Sequence, residues 1–144
     1  MTVICVFKVL NDSRLDAILA SSSRQGPVLP HRRVKMQDWD QYRKQLMGRV
    51  MELGTLSPDT LKGYQQLSSA GSKSGVLDGK TRELISLAVA VTTRCDGCIA
   101  VHADAALKQG ASRAEIADAL GVAVAMNAGA AMVYSARVLD AIDR

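Results

Sequence analysis

The sequence predicts an all-α protein. Apolar residues make up 48% of its 144 positions but aromatics only 3%, so any core is built from Ala, Leu, Val, Ile and Met. Ala, Leu and Met, the members of that set not branched at Cβ, suit closely packed helices, whereas a β-sandwich draws on Val, Ile, Thr and aromatic rings. The length fits one domain with a core that needs no covalent staples. From Met36 onward, apolar residues also recur at helical spacing.

Residues 1–35 read differently. "SSSRQGPVLPHRRVK" mixes Ser, Gly, Pro and Arg with little periodicity, which predicts a flexible or partly disordered basic leader in which "LDAILA" supplies a helical turn or two. The composition changes at Met36, which makes Met36 an alternative start of the natural protein. Residues 36–144 are expected to be one all-helical domain. Its first helix, "DWDQYRKQLMGRVMELG", carries Trp39, Leu46, Val50 and Leu53 at mostly helical spacing and is expected to stop at Gly54. The next opens with Ser57 as N-cap and Pro58 at the first helical position and ends near Gly71, before a loop "GSKSG".

"LDGKTRELISLAVAVTTR" follows, with Asp78 or Thr81 as its cap and a Leu84, Leu87, Ala88, Val91 stripe. A helix from about Asp96 to Gln109 ends at Gly110. "ASRAEIADALGVAVAMNAG" opens with a capping box, Ser112 and Glu115. The "MNAG" break, Met126 to Gly129, reads as a helix kink or an interface packing feature before a last helix, "AAMVYSARVLDAI". Met126 and Met132 read as core or interface filler, and Asp104 and Asp118 as surface acids. The two Ala-rich segments are apolar on more than one face, as expected of helices buried between subunits. A homo-oligomer is therefore expected.

The formal charge of +4 is confined to the leader, where Lys8, Arg14, Arg24, Arg32, Arg33 and Lys35 face Asp12 and Asp16. Residues 36–144 hold twelve basic and twelve acidic side chains and so present no net field to a polyanion. With one Trp, no Phe and few Tyr in that part, there is little to stack bases, and no nucleic acid partner is expected. Three cysteines make no disulfide framework and suit a reducing compartment. No apolar run is expected to span a bilayer, and "VICVF" is too short for a secretory core, so a cytoplasmic protein without a membrane partner is expected.

The chemistry concentrates in "RCDGCIAVH", residues 94–102. Residues three and four apart share a helix face, so Cys95, Cys98 and His102 can converge. With Asp96 as N-cap, Cys98 falls in the first turn, where unpaired N–H groups and the positive end of the dipole favour a thiolate. An ordinary thiol, of pKa ~8.5, is a few per cent ionised at neutral pH, and roughly 2 kcal/mol in favour of the anion makes it about half ionised. A helix terminus and a nearby imidazole can supply that together. Cys98 then attacks, and Cys95 one turn back closes a disulfide.

If the two helices form an antiparallel hairpin turning near Arg94, Glu83 lies only ~6–8 Å of axial rise from His102. It would orient the imidazole that takes the Cys98 proton, the logic of nucleophile, base and orienter.

A Glu, then C-x-x-C twelve residues on, then x-x-x-H, falls on Glu83, Cys95, Cys98 and His102. In this pattern, and over roughly residues 57–140, the chain resembles the AhpD-like alkylhydroperoxidases of the carboxymuconolactone decarboxylase superfamily. The resemblance implies an AhpD-like helical bundle with the C-x-x-C at the start of a helix in an antiparallel hairpin, assembled as trimers or hexamers. It also implies thiol-dependent peroxidase activity through a redox-active Cys95–Cys98 disulfide, with no other cofactor and with the second cysteine the more reactive. The expected partners are a peroxide or disulfide substrate and a dithiol reductant, lipoylated or thioredoxin-like. The chain departs from the best-known member at Gly97, where that protein has a histidine.

Two other readings of the residues stand beside this one. A disulfide reductase or redox sensor would keep the dithiol chemistry without peroxide turnover. A non-catalytic oligomeric protein would use the cysteines structurally or for metal; zinc wants four ligands and the motif offers three, His31 lying in the leader.

Overall fold

In the computed structural model, which describes residues 35–143, five α-helices follow one another: α1 (Trp39–Leu56), α2 (Pro58–Ala70), α3 (Gly79–Thr93), α4 (Asp96–Lys108) and α5 (Arg113–Ile142). There is no β-strand among the described residues. Residues from Met36 onward belong to one compact unit. The leader expected over 1–35, with Cys5 and His31, lies outside the described residues save for Lys35.

The cap residues set the joints. Asp38 accepts from the Gln41 N–H at 3.0 Å to start α1. This helix runs past the expected stop at Gly54 to Leu56, because Gly54 is used for packing instead: it is buried where Leu61 of α2 crosses it, and a side chain there would collide with Leu61. Ser57 takes the N-cap position of α2 with Pro58 inside, but its hydroxyl pairs with the Thr60 hydroxyl at 2.8 Å and not with a backbone N–H. "GSKSG" is less of a loop than expected, since Gly71–Ser74 winds into a 3-10 turn.

Asp78 caps α3, accepting from the Thr81 N–H at 2.7 Å. Gly110, at φ 81°, ends α4 with the paired bonds of a Schellman turn, Gly110 N–H to the Leu107 carbonyl and Ala111 N–H to the Ala106 carbonyl. Ser112 and Glu115 form the expected capping box at the start of α5, and Glu115 also takes Lys80 of α3 at 2.7 Å. These bonds hold its carboxyl down to about 2, Lys80 contributing most and the Ser112 cap next.

Packing centres on α3, which contacts both α4 and α5. Leu87, Ala106 and Ala111 are buried together, with Leu84, Ala103 and Ile116 against them. Alanine at 90, 100 and 123 is buried as well, and the small side chains are what let the helices approach so closely. Leu87, 4% exposed, is the largest of the buried apolar side chains; its burial is worth about 1.5–3 kcal/mol.

Two expectations about the C-terminal part are corrected. The "MNAG" segment neither breaks nor separates the helices: α5 is continuous over 30 residues. Asn127 is accommodated because its amide donates to the Ala123 carbonyl at 2.7 Å and to the Thr92 hydroxyl of α3 at 2.9 Å. The continuous helix is also long and apolar enough, by length and composition, to cross a bilayer, where no such run was expected.

Candidate active site

The α3–α4 joint is built from two overlapping helix ends. Arg94 adopts the left-handed region at φ 54°, where a non-glycine residue costs about 1–2 kcal/mol. The Cys95 N–H reaches back to the Ala90 carbonyl at 3.0 Å. Cys95 therefore finishes α3 and caps α4 at once. Its sulfur, not the Asp96 carboxylate, receives the Cys98 N–H at 3.1 Å. This corrects the expected cap: Asp96 is the first residue inside the helix, an acid at the positive end of the dipole. Cys98 keeps its place in the first turn.

Cys95 and Cys98 are joined as a disulfide, with Cα atoms 5.2 Å apart. Both are partly exposed. One turn further along α4, His102 Nδ1 lies 2.7 Å from Glu83 Oε2 on α3, the side chains 33% and 22% exposed. The hairpin is antiparallel, as the pairing of residues 83 and 102 about the turn requires, and the contact is direct with no bridging water needed. An ionised carboxylate can only accept, so the proton of a neutral imidazole sits on Nδ1 and the lone pair on Nε2.

Cys95, Cys98 and His102 line one pocket of about 390 Å³, with Gly97 and Val101 between them. The opposite wall is Leu46, Met47 and Val50 of α1 and Tyr64 of α2. Glu83 is not among the lining residues and reaches the pocket only through His102. Among the described residues no group of three or more His, Cys, Asp or Glu side chains has the arrangement to hold a metal ion.

The sequence reading missed the contribution of α1. Arg43 pairs with Asp104 of α4 at 3.3 Å, approaches the Ala100 carbonyl at 3.4 Å and is held by Asp40 at 3.0 Å. Asp104 is thus a docking residue and not the plain surface acid expected; Lys108, first, and Arg43 hold its carboxyl below the ordinary value. The Leu46–Val50 pair was visible as an apolar i, i+4 stripe, but nothing local says what it covers.

These features define an all-helical protein of AhpD-like fold. Residues 58–141 match the carboxymuconolactone decarboxylase family, and the chain belongs to it. An uncharacterized protein of Haemophilus influenzae is 53% identical over 104 residues, 72% of this chain and 92% of that one. An uncharacterized protein encoded in the cox locus of Paracoccus denitrificans is 39% identical over 80 residues, 56% of this chain and 72% of the other. The apo crystal structure of a carboxymuconolactone decarboxylase family protein from Legionella pneumophila superposes with a TM-score of 0.59 at 35% identity, covering 68% of this chain and 88% of that chain.

Proposed function

We propose that the protein is a thiol-dependent alkyl hydroperoxidase, a disulfide oxidoreductase of antioxidant defence working in the cytoplasm with no cofactor beyond its own cysteine pair. The observation that carries this reading is a disulfide at a helix start sharing a pocket with an imidazole that a carboxylate already orients. In the reduced protein His102 Nε2 takes the Cys98 proton. The thiolate attacks the terminal peroxide oxygen, the O–O bond breaks, and the departing alkoxide leaves as alcohol with the proton returned by His102. Cys98 is then a sulfenic acid, which the Cys95 thiol condenses with, releasing water and forming the disulfide. A dithiol such as a lipoyl group or a thioredoxin-like protein gives two electrons and two protons to restore both thiols.

Reduced protein is expected to turn over an alkyl hydroperoxide with dihydrolipoamide as reductant. Cys98→Ser abolishes turnover and His102→Ala lowers it by about a hundredfold or more, the usual weight of a positioned base. Dihydrolipoamide oxidation that needs no peroxide but consumes a disulfide substrate would instead make the protein a reductase. Turnover unchanged in Cys98→Ser would overturn the reading altogether.

The active unit in this reading is a homo-oligomer, a trimer or hexamer, with a second copy of the chain covering α5. Only Ala123 of that helix is buried, while Met132 is 75% and Val133 69% exposed. A protein partner fits this surface better than a bilayer. The first half of α5 is docked on α3 through Ile116 and the Lys80–Glu115 pair, and the apolar second half carries Arg137 and Asp140, which are costly in hydrocarbon.

A further inference from the structure

The residues that match the family begin at Pro58, so α1 lies outside them, yet it supplies much of the pocket wall opposite the cysteines. One contact fixes where that wall stands. Leu46 is half-buried and sits directly on Gly97, between the two cysteines: a Cβ built on Gly97 would meet Leu46 Cδ2 at 2.9 Å. A side chain at 97 would press Leu46 aside, because a contact that short forces something to shift and the end of the leucine side chain is the part free to give.

Leu46 also lines a second hollow of about 450 Å³, together with Tyr42, Gln45 and Arg49. Its isobutyl group is thus shared by a hollow with polar edges and the largely apolar wall facing the sulfurs. Arg43, three residues back on the same face of α1, fixes this position through Asp104 and the Ala100 carbonyl.

We propose that Leu46, seated on Gly97, is a specificity-determining residue of the cysteine pocket. As part of the wall opposite the sulfurs, it sets the size of the molecule that fits beside Cys98. The inference rests on the reading of Cys98 as the reacting sulfur and adds which residue controls access to it. Leu46 touches no reacting atom in the chemistry above, so its effect is on which reagent enters and not on the reactivity of the thiol itself.

The test uses the full chain with Cys5→Ser and Cys95→Ser, leaving Cys98 as the single thiol and a hydroxyl to cap α4. The rates of alkylation by N-ethylmaleimide and by N-cyclohexylmaleimide are measured, and their ratio is the readout. Leu46→Ala is expected to raise the relative rate of the bulky reagent about tenfold, the scale of a few methylenes in an apolar pocket, and Leu46→Phe to lower it.

Gly97→Ala is expected to shift the ratio when Leu46 is present and to leave it unchanged in the Leu46→Ala background, because the clash has gone. A general loosening of the fold would move both substitutions at Leu46 the same way, and a plain helix-propensity effect at Gly97 would persist in both backgrounds. A ratio indifferent to Leu46, or a Gly97→Ala effect equal in both backgrounds, overturns this role for Leu46. Loss of the peroxidase reading looks different: no peroxide turnover in the unsubstituted chain, with the maleimide ratio still responding to Leu46.

Discussion

The α3–α4 hairpin and the C-terminal half of α5 are both rich in alanine and valine, yet they stand in opposite conditions. In the hairpin the helix ends are capped, the carboxylate and imidazole are paired, and Leu87, Ala90, Ala100 and Ala106 are buried within one chain. From Val124 to Ile142 every residue of α5 is exposed. One region satisfies itself inside the chain. The other is a helix whose large apolar side chains are mostly uncovered among the described residues, and the hydrophobic effect favours covering them. Similar composition therefore serves two ends: small residues bring α3 and α4 close enough to set the site, and the same residue types leave α5 a smooth apolar surface.

The largest expected effect follows from breaking the second region alone. Met126 and Val133 lie seven residues apart on one face of α5 and both are 69% exposed. Replacing both with lysine puts charge into the proposed interface, where desolvating an unpaired ion costs several kcal/mol. Association is expected to weaken by on the order of a thousandfold or more, giving monomers by light scattering while helical content is kept. An unchanged mass, or co-sedimentation of the unsubstituted chain with lipid vesicles, would show that something other than a second copy covers α5.

The complementary break is in the hairpin. Leu87→Ala removes the largest side chain of the buried cluster and is expected to cost about 2–5 kcal/mol in urea unfolding. The contrast with Met132→Ala sharpens the comparison. The loss at Leu87 is expected at every protein concentration, whereas a loss at Met132 appears only where the chain is assembled. Equal concentration dependence for the two would mean that the hairpin core is not complete within the protomer.

What could be read from the sequence divides along the same line. Local rules carried the capping box at Ser112 and Glu115 and the Gly110 terminus, and narrowed the α3 cap to Asp78 or Thr81, because each depends on residues within a turn of one another. Even the Glu83–His102 pair was within reach, since a tight antiparallel hairpin leaves helix rise as the only variable.

What failed depended on partners elsewhere. Asn127 and Gly129 looked like a break, with glycine costing about 1 kcal/mol in a helix, until the Thr92 hydroxyl on α3 took the asparagine amide. Asp104 looked like a surface acid because Arg43 lies 61 positions earlier in the chain. The cap at Cys95 was assigned to Asp96 because carboxylates are far commoner caps than sulfur; the turn at Arg94 decides which residue arrives first.

The smallest expected effect concerns the polar clasp that ties α5 to the hairpin, and it is a test by pH. Glu115 is held down to about 2 from the ordinary 4.5, chiefly by Lys80 and then by the Ser112 cap. A carboxyl lowered in the folded state binds its proton more readily when unfolded, so it stabilises the fold above the ordinary value, and that contribution fades as pH falls from about 4.5 toward 2.

Glu115→Gln keeps one oxygen to accept the Ser112 N–H and removes the charge together with the second oxygen, which accepts from Lys80. The thermal midpoint of the unsubstituted chain is therefore expected to exceed that of Glu115→Gln at neutral pH and to converge on it as the pH drops through that window. Added salt should shrink the gap, because both side chains are more than a third exposed. Asp78 and Asp104, also held low, lose their contributions in both proteins alike and cancel in the difference. A gap that keeps its size down to pH 2 would assign the joint to packing at Ile116 and Ala111 and leave the Lys80–Glu115 charge pair no part in holding α5 to the site.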